Sequence, residues 1–316
     1  MKIAIIDDWN KDASKSANWD GLLKAHQVDF YHDTILGEDL INRLLPYHMI
    51  GIMRERTPIT ADLLDKLPNL EAIVTTGMHN QSIDKQAAKA RNIMVMGTHS
   101  PAISTPELAM TLIGNLARNL FQNATSMTNG GWQVSTGRDL AGSTLGILGL
   151  GRLGGALAKL GQAYGMDVQA WSQNLTQERC DEMQVRYADK EEFFKTSDFI
   201  SIHLKMSDRV RHLVGEPEFA LMKNTASIVN TSRAGIIDTD ALISALQSGA
   251  IGSAATDVYA HEPVPSDAII RQTPNLLMTP HIGYVTEQTM KIFYSEMCEN
   301  MESYIKGQPL RPLEGF

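Results

Sequence analysis

Short apolar runs rich in Ile and Val alternate along the chain with longer amphipathic stretches, the pattern produced when parallel strands are joined by crossover helices. In the first third the runs are KIAIID (2–7), VDFY (28–31), MIGIMR (49–54), EAIVTT (71–76) and IMVMGT (93–98). Between them GEDLINRLL and TADLLDKL read as helices, the second with Thr60 placed to cap its N-terminus. A long helix is predicted from Thr105 and Pro106 through PELAMTLIGNLARNLFQNATSMT to the Gly130–Gly131 pair, which stops it. Its positions Leu108, Leu112, Leu116 and Leu120 form an apolar face that either the same chain or a second copy can bury. A further series of strands follows: TLGILGL (144–150), DVQAWS (167–172), DFISIHL (198–204), ASIVNTS (226–232), GSAATDV (252–258) and LLMTPH (276–281). These are enough for a second sheet, so the chain reads as α/β with two doubly wound parallel-sheet domains. The last segment, Thr286 to Lys306, has helical periodicity in Ile292, Phe293, Met297, Met301 and Ile305, with no strand after it. It is expected to pack back on the first domain.

Composition narrows the class. A chain of 316 residues exceeds the size at which one core grows comfortably, and its apolar fraction of 43% and charged fraction of 20% are those of a globular protein. The net charge of -8, without a basic patch, argues against a nucleic-acid partner. Cys180 and Cys298 are too few for a disulfide framework, and the nine histidines show no paired ligand spacing, so no metal is expected. The N-terminal run is interrupted at once by Asp7 and Asp8 and reads as a strand rather than a signal peptide. No run is long enough to cross a bilayer, and a cytoplasmic location is expected.

The segment TLGILGLGRLGGALA places Gly149, Gly151 and Gly154 in a G-x-G-x-x-G pattern that follows a strand and opens a helix. The first glycine permits a tight turn, the second lets backbone approach a pyrophosphate, and the third lets helix and strand pack closely. Arg152 and Leu153 begin the helix, whose N–H groups face the phosphates. The end of the next strand reads Ala170, Trp171, Ser172, Gln173, Asn174. The acid that would bind ribose hydroxyls and repel a 2′-phosphate is missing there. Ser172 is the candidate ribose contact, and both NAD and NADP stay open as cofactors.

Three later segments put polar residues at the carboxyl ends of predicted strands: IVNTSRAGIID with Arg233, ATDVYAHEP with Asp257 and Glu262, and MTPHIGY with His281. Arginine's planar fork suits a carboxylate, histidine gives and takes a proton near neutral pH, and a glutamate stabilises the imidazolium and sets its tautomer. Together these meet the needs of hydride transfer to a 2-keto acid.

With these motifs in this order, the chain resembles the D-isomer-specific 2-hydroxyacid dehydrogenases, the family of D-3-phosphoglycerate dehydrogenase and the glyoxylate or hydroxypyruvate reductases, over nearly its whole length. The resemblance implies a Rossmann NAD(P)-binding domain over residues 99–285, inserted in a flavodoxin-like substrate domain made of 1–98 and 286–316. It implies Arg233 as the substrate-binding arginine, Glu262 as partner of His281, and His281 as the acid/base. It also implies that Asp257 contacts the nicotinamide carboxamide and that Thr231 and Ser232 lie along the cofactor. The substrate is expected to be a small 2-keto or 2-hydroxy acid, and the assembly a homodimer. Glu262 stands where formate-oxidising relatives tend to carry glutamine. The competing expectation is an NAD(H)-binding sensor or corepressor without turnover.

The substrate loop departs from the family pattern of a second glycine and an acid after the first glycine. Here TTGMHNQSID follows Gly77 with Met78, His79 and Asn80. Gly77, Met78 and His79 are candidate substrate contacts, Asn80 a further one, and Arg54 or Arg56 in MRERTPI is placed to hold a second negative charge. The chain is expected to lack the C-terminal regulatory domain that serine-biosynthetic members often bear.

Overall fold

The first five apolar runs become β1 (Lys2–Ile5), β2 (Gln27–Phe30), β3 (Met49–Ile52), β4 (Ala72–Thr75) and β5 (Met94–Met96) in a computed structural model that describes residues 1–316. The chain divides into two compact units, Met1–Pro101 with Val285–Phe316, and Ala102–Tyr284.

In the first unit the five strands are parallel, in the order β2-β1-β3-β4-β5. Every residue of β3 and β4 is buried, which is why these runs are continuously apolar rather than alternating. The order reverses direction between β1 and β3, so their carboxyl ends flank a switch point where such sheets place ligands. Thr60 caps its helix as expected, accepting from the Leu63 N–H. The predicted terminal helix is Glu287–Ile305, begins at the Thr286 cap, and belongs to this unit. It buries Phe293, Met297 and Met301, and a Cβ at Gly51 in β3 would lie 2.5 Å from Met297 Sδ, so the glycine admits the helix side chain onto the sheet.

The second unit holds β6 (Thr144–Leu148), β7 (Asp167–Trp171), β8 (Arg186–Tyr187), β9 (Phe199–Ile202), β10 (Ser227–Asn230), β11 (Ser253–Thr256) and β12 (Leu276–Met278). All are parallel, in the order β12-β11-β10-β9-β6-β7-β8. This is the Rossmann order, reversing between β6 and β9. The strand β8 escaped the sequence reading because it consists of two exposed edge residues and has no apolar run. The long helix predicted from Thr105 to Gly130 is two helices, Ser104–Arg118 and Leu120–Thr128. They part at Asn119, whose φ of 46° is left-handed, a conformation that asparagine tolerates and that ends a helix. Leu112 is buried and Leu108 and Leu116 pack on the core of the unit, whereas Leu120, beyond the break, is exposed. No helix is long and apolar enough to cross a membrane.

Candidate active site

The glycine turn leaves β6 through Gly149, whose φ of +102° a side chain would oppose. A Cβ on Gly154 would run into the Gly149 carbonyl oxygen and lie 3.0 Å from Ile147 Cγ2, so helix and strand touch at backbone distance. A Cβ on Gly151 would meet nothing within 4 Å. The first and third glycines therefore answer to the protein itself, and the second faces open space. Gly151 precedes the helix Arg152–Ala163, and no side chain caps its first N–H groups. Arg152 is exposed and Leu153 half-buried at this helix start. Behind the turn stands His203, which the sequence reading passed over. Burial pushes its imidazole down to about 4, and it bonds the Ser201 hydroxyl at 2.9 Å, so it is a neutral support.

Ser172, after β7, is half-buried, and Gln173 donates to the Arg209 carbonyl at 3.4 Å, which ties the strand end to the segment beyond β9. From position 172 to 176 there is no acid.

After β10 the chain turns on Asn230, whose side chain accepts from the Ser232 N–H at 3.0 Å and donates to the Arg233 carbonyl at 3.0 Å. The Ser232 hydroxyl is engaged by the Leu204 carbonyl. Thr231 is buried and its Oγ1 has no hydrogen-bond partner. A buried orphan hydroxyl at the carboxyl end of β10, on the same edge of the parallel sheet as the glycine turn after β6, fits a polar ligand such as a dinucleotide.

Asp257, after β11, is 1% exposed. Its Oδ1 accepts from the Thr279 hydroxyl at 2.6 Å and the Ile282 N–H at 2.8 Å, and its Oδ2 from the Gly283 N–H at 2.8 Å. Burial nonetheless raises its carboxyl above the ordinary value. Its observed work is to shape the loop that carries His281, and one Oδ2 lone pair remains.

His281 has a left-handed φ of 54°, and its Nδ1 lies 2.6 Å from Glu262 Oε2. Glu262 Oε1 accepts the Tyr259 N–H at 2.8 Å. A carboxylate only accepts, so Nδ1 carries the proton and Nε2 is the ring atom left for chemistry. Burial works to raise the Glu262 carboxyl, but the hydrogen bond and charge of His281 outweigh it and hold the group below its ordinary value. The charge of Arg233 acts in the same direction, so the residues predicted from three separate strand ends share one electrostatic environment. Both side chains of the pair are about a quarter exposed, at 26% and 29%.

In the first unit Arg54, with φ 51°, donates through its backbone N–H to Thr76 Oγ1 at 2.9 Å. Its guanidinium fills the space that a Cβ on Gly77 would take. Met78 is half-buried against the core of the unit and His79 is exposed. Asn80 differs from the expectation of a substrate contact. It is 3% exposed, donates to the Arg54 carbonyl at 2.6 Å and Thr75 Oγ1 at 2.9 Å, and accepts from the N–H and hydroxyl of Ser82 at 2.8 and 2.7 Å. All its hydrogen-bonding capacity is used in holding the loop.

A Rossmann sheet with an uncapped, glycine-lined helix start defines a dinucleotide-binding class of protein. Comparison with known proteins sharpens this. Residues 110–283 match the family model described as D-isomer specific 2-hydroxyacid dehydrogenase, NAD binding domain. A glycerate dehydrogenase of Methylorubrum extorquens is 33% identical over 92% of each chain, and a hydroxypyruvate reductase of Thermotoga maritima 34% identical over 84% of this chain and 88% of its own. The crystal structure of a phosphoglycerate oxidoreductase from Vibrio cholerae superposes with a TM-score of 0.92 at 34% identity, covering 97% of this chain and 99% of its own. The chain belongs to the D-isomer specific 2-hydroxyacid dehydrogenase family.

Proposed function

We propose that this protein reduces small 2-keto acids to 2-hydroxy acids at the expense of NADH or NADPH, and runs the reverse oxidation at the same site. The observation that carries the reading is the His281–Glu262 pair at 2.6 Å, which leaves Nε2 as the proton-exchanging atom at a strand end of a nicotinamide-cofactor domain. When bound, a reduced nicotinamide supplies the hydride to C2 of the substrate. Arg233 binds the substrate carboxylate and polarises the C2 carbonyl. As negative charge develops on that oxygen, His281 Nε2 delivers its proton, and Glu262 stabilises the imidazolium beforehand and keeps Nδ1 protonated afterwards. In oxidation Nε2 takes the hydroxyl proton.

The cofactor is held by Gly149, Gly151, Arg152, Leu153 and Gly154 at its pyrophosphate, by Ser172 at the adenosine ribose, and by Thr231, Ser232 and Asp257 toward the nicotinamide. Support comes from the open face of Gly151 and the orphan Thr231 hydroxyl. Arg54 and the Gly77–Met78–His79 segment are assigned to the substrate, Met78 through its backbone because its side chain packs inward. The working form is a homodimer. Phe121, Met127, Trp132 and Val134 are 53–74% exposed within one short segment of the second unit, an apolar strip a lone chain rarely leaves in water.

The test is absorbance at 340 nm with NADH and NADPH against a panel of 2-keto acids, for the wild type and His281→Ala. Turnover lost in the variant, with cofactor binding kept, supports the reductase. Tight cofactor binding without turnover of any keto acid by the wild type points instead to a cofactor-sensing protein.

A further inference from the structure

In the second unit a single residue, Tyr259, bonds to both arms of the His281–Glu262 pair. Its backbone N–H donates to Glu262 Oε1 at 2.8 Å. Its hydroxyl lies 2.9 Å from the Thr256 carbonyl oxygen and 2.8 Å from the Thr279 carbonyl oxygen, so one proton is shared between two acceptors. Each of these carbonyls also takes a backbone N–H. Thr256, the last residue of β11, accepts from Thr279 at 3.0 Å, and Thr279 accepts from His281 at 3.0 Å across Pro280. The hydroxyl therefore sits where the β11–β12 ladder ends and the turn into His281 begins.

His281 is left-handed, with φ 54°, a conformation that a residue with a side chain keeps only where its surroundings enforce it. Asp257 enforces it from the C-terminal side, by accepting the Ile282 and Gly283 N–H groups. Tyr259 enforces it from the N-terminal side, through the Thr279 carbonyl. Packing alone does not fix the phenol, because Tyr259 lines a cavity of about 190 Å³ together with Leu242, Ile243, Val264 and Ile269. The hydroxyl bonds are what set its place. Burial, with the charges of Asp257 and Glu262, pushes the phenol up, so it stays a neutral donor throughout the range in which a histidine exchanges protons.

We propose that Tyr259 is a positioning residue for the proton transfer: its N–H aims Glu262, its hydroxyl fixes the backbone that carries His281, and the two together set the placement of one partner against the other. This inference rests on the reading of the protein as a 2-keto acid reductase. Tyr259 acts through the pair and takes no part in the transfer itself. Tyr259→Phe isolates the hydroxyl, since it keeps the ring and the N–H, and both carbonyls keep their backbone donors.

The experiment has two readouts on the full chain. The first is kcat and KM with NADH and the best keto acid of the panel: Tyr259→Phe should lower kcat about fivefold and leave both KM values within about twofold. Tyr259→Leu, which also removes the ring, should lose the same factor in kcat while its Tm falls further, and a kcat that merely follows Tm across the three proteins overturns the role. The second readout needs no substrate. Nitrogen NMR reports the tautomer of the neutral His281 ring, its signal assigned by its loss in His281→Ala, and Tyr259→Phe should shift it from Nδ1–H toward a mixture with Nε2–H. A signal that Tyr259→Phe leaves in place, or a shifted signal with kcat intact, overturns the positioning role, and turnover by the wild type then spares the reductase reading. A shifted signal in a protein whose wild type turns over no keto acid keeps the positioning and sinks that reading. Neither turnover nor shift overturns both.

Discussion

His281 Nδ1 and Glu262 Oε2 stand 2.6 Å apart, and the other oxygen of the carboxylate is pinned by the Tyr259 N–H at 2.8 Å. Two bonds fix the carboxylate, and the carboxylate fixes the ring. Replacing it therefore frees the imidazole to rotate and to exchange tautomers, while the cofactor turn is untouched.

Glu262→Gln should lower kcat by about 10²-fold with little change in cofactor affinity. It should also change the pH dependence of stability. The Glu262 carboxyl lies below its ordinary value of 4.5, so the stability it contributes is complete above that value and is lost as pH falls through the lower, folded-state value. Denaturant unfolding at neutral pH and below 4.5 should show a smaller acid-side loss in the variant than in the wild type. An equal loss in both would mean that other carboxylates dominate acid unfolding.

The glycines of the turn should separate stability from binding. A side chain on Gly154 meets backbone, so Gly154→Ala should destabilise the protein by about 1–3 kcal/mol. A side chain on Gly151 meets only open space, so Gly151→Ala should stay within about 0.5 kcal/mol of wild type yet weaken NADH binding. Thermal unfolding and a fluorescence titration of cofactor measure the two. Normal NADH affinity in Gly151→Ala would remove Gly151 from the cofactor site.

Gly77 should tolerate no side chain, for two separable reasons. Its φ of +84° is strained for alanine, and its Cβ would displace the Arg54 guanidinium. Gly77→Ala should lose about 1–2 kcal/mol from the backbone alone, with a further loss that vanishes in the Arg54→Ala background. A double-mutant cycle reads that coupling directly.

An acid placed at Ser172 should act on cofactor choice. With no carboxylate from 172 to 176, nothing on that strand end repels a 2′-phosphate. Ser172→Asp should lower the ratio of kcat/KM for NADPH over NADH by about tenfold or more. An unchanged ratio would place the adenosine ribose elsewhere.

Charge on the exposed apolar strip should undo assembly. Trp132 is 74% exposed and Phe121 60%. Light scattering after size exclusion should find a dimer for wild type and a monomer for the double variant Phe121→Glu, Trp132→Glu. A wild-type monomer would leave the strip unexplained by self-association.

The strands and the glycine turn were legible because each rests on short-range regularity. A buried parallel strand is a short apolar run, and a phosphate turn is a fixed glycine spacing ahead of a helix. The same locality explains the misses. The break at Asn119 is one residue in a left-handed conformation inside a continuous helical pattern, and β8 is two polar residues that only their neighbour strand defines.

Taken alone, the sequence determined the α/β class, the parallel sheets, the family and the chemical types available for a site, since these follow from hydrophobic period and residue order. Tertiary structure alone decided how those side chains are used. It turned Asn80 inward to hold the loop after Gly77, set Asp257 to shape the loop of His281, and left the Thr231 hydroxyl unpartnered. The physical reason is that a hydrogen bond is settled by positions in space, and residues far apart in sequence come within 3 Å only after the strands that carry them have paired.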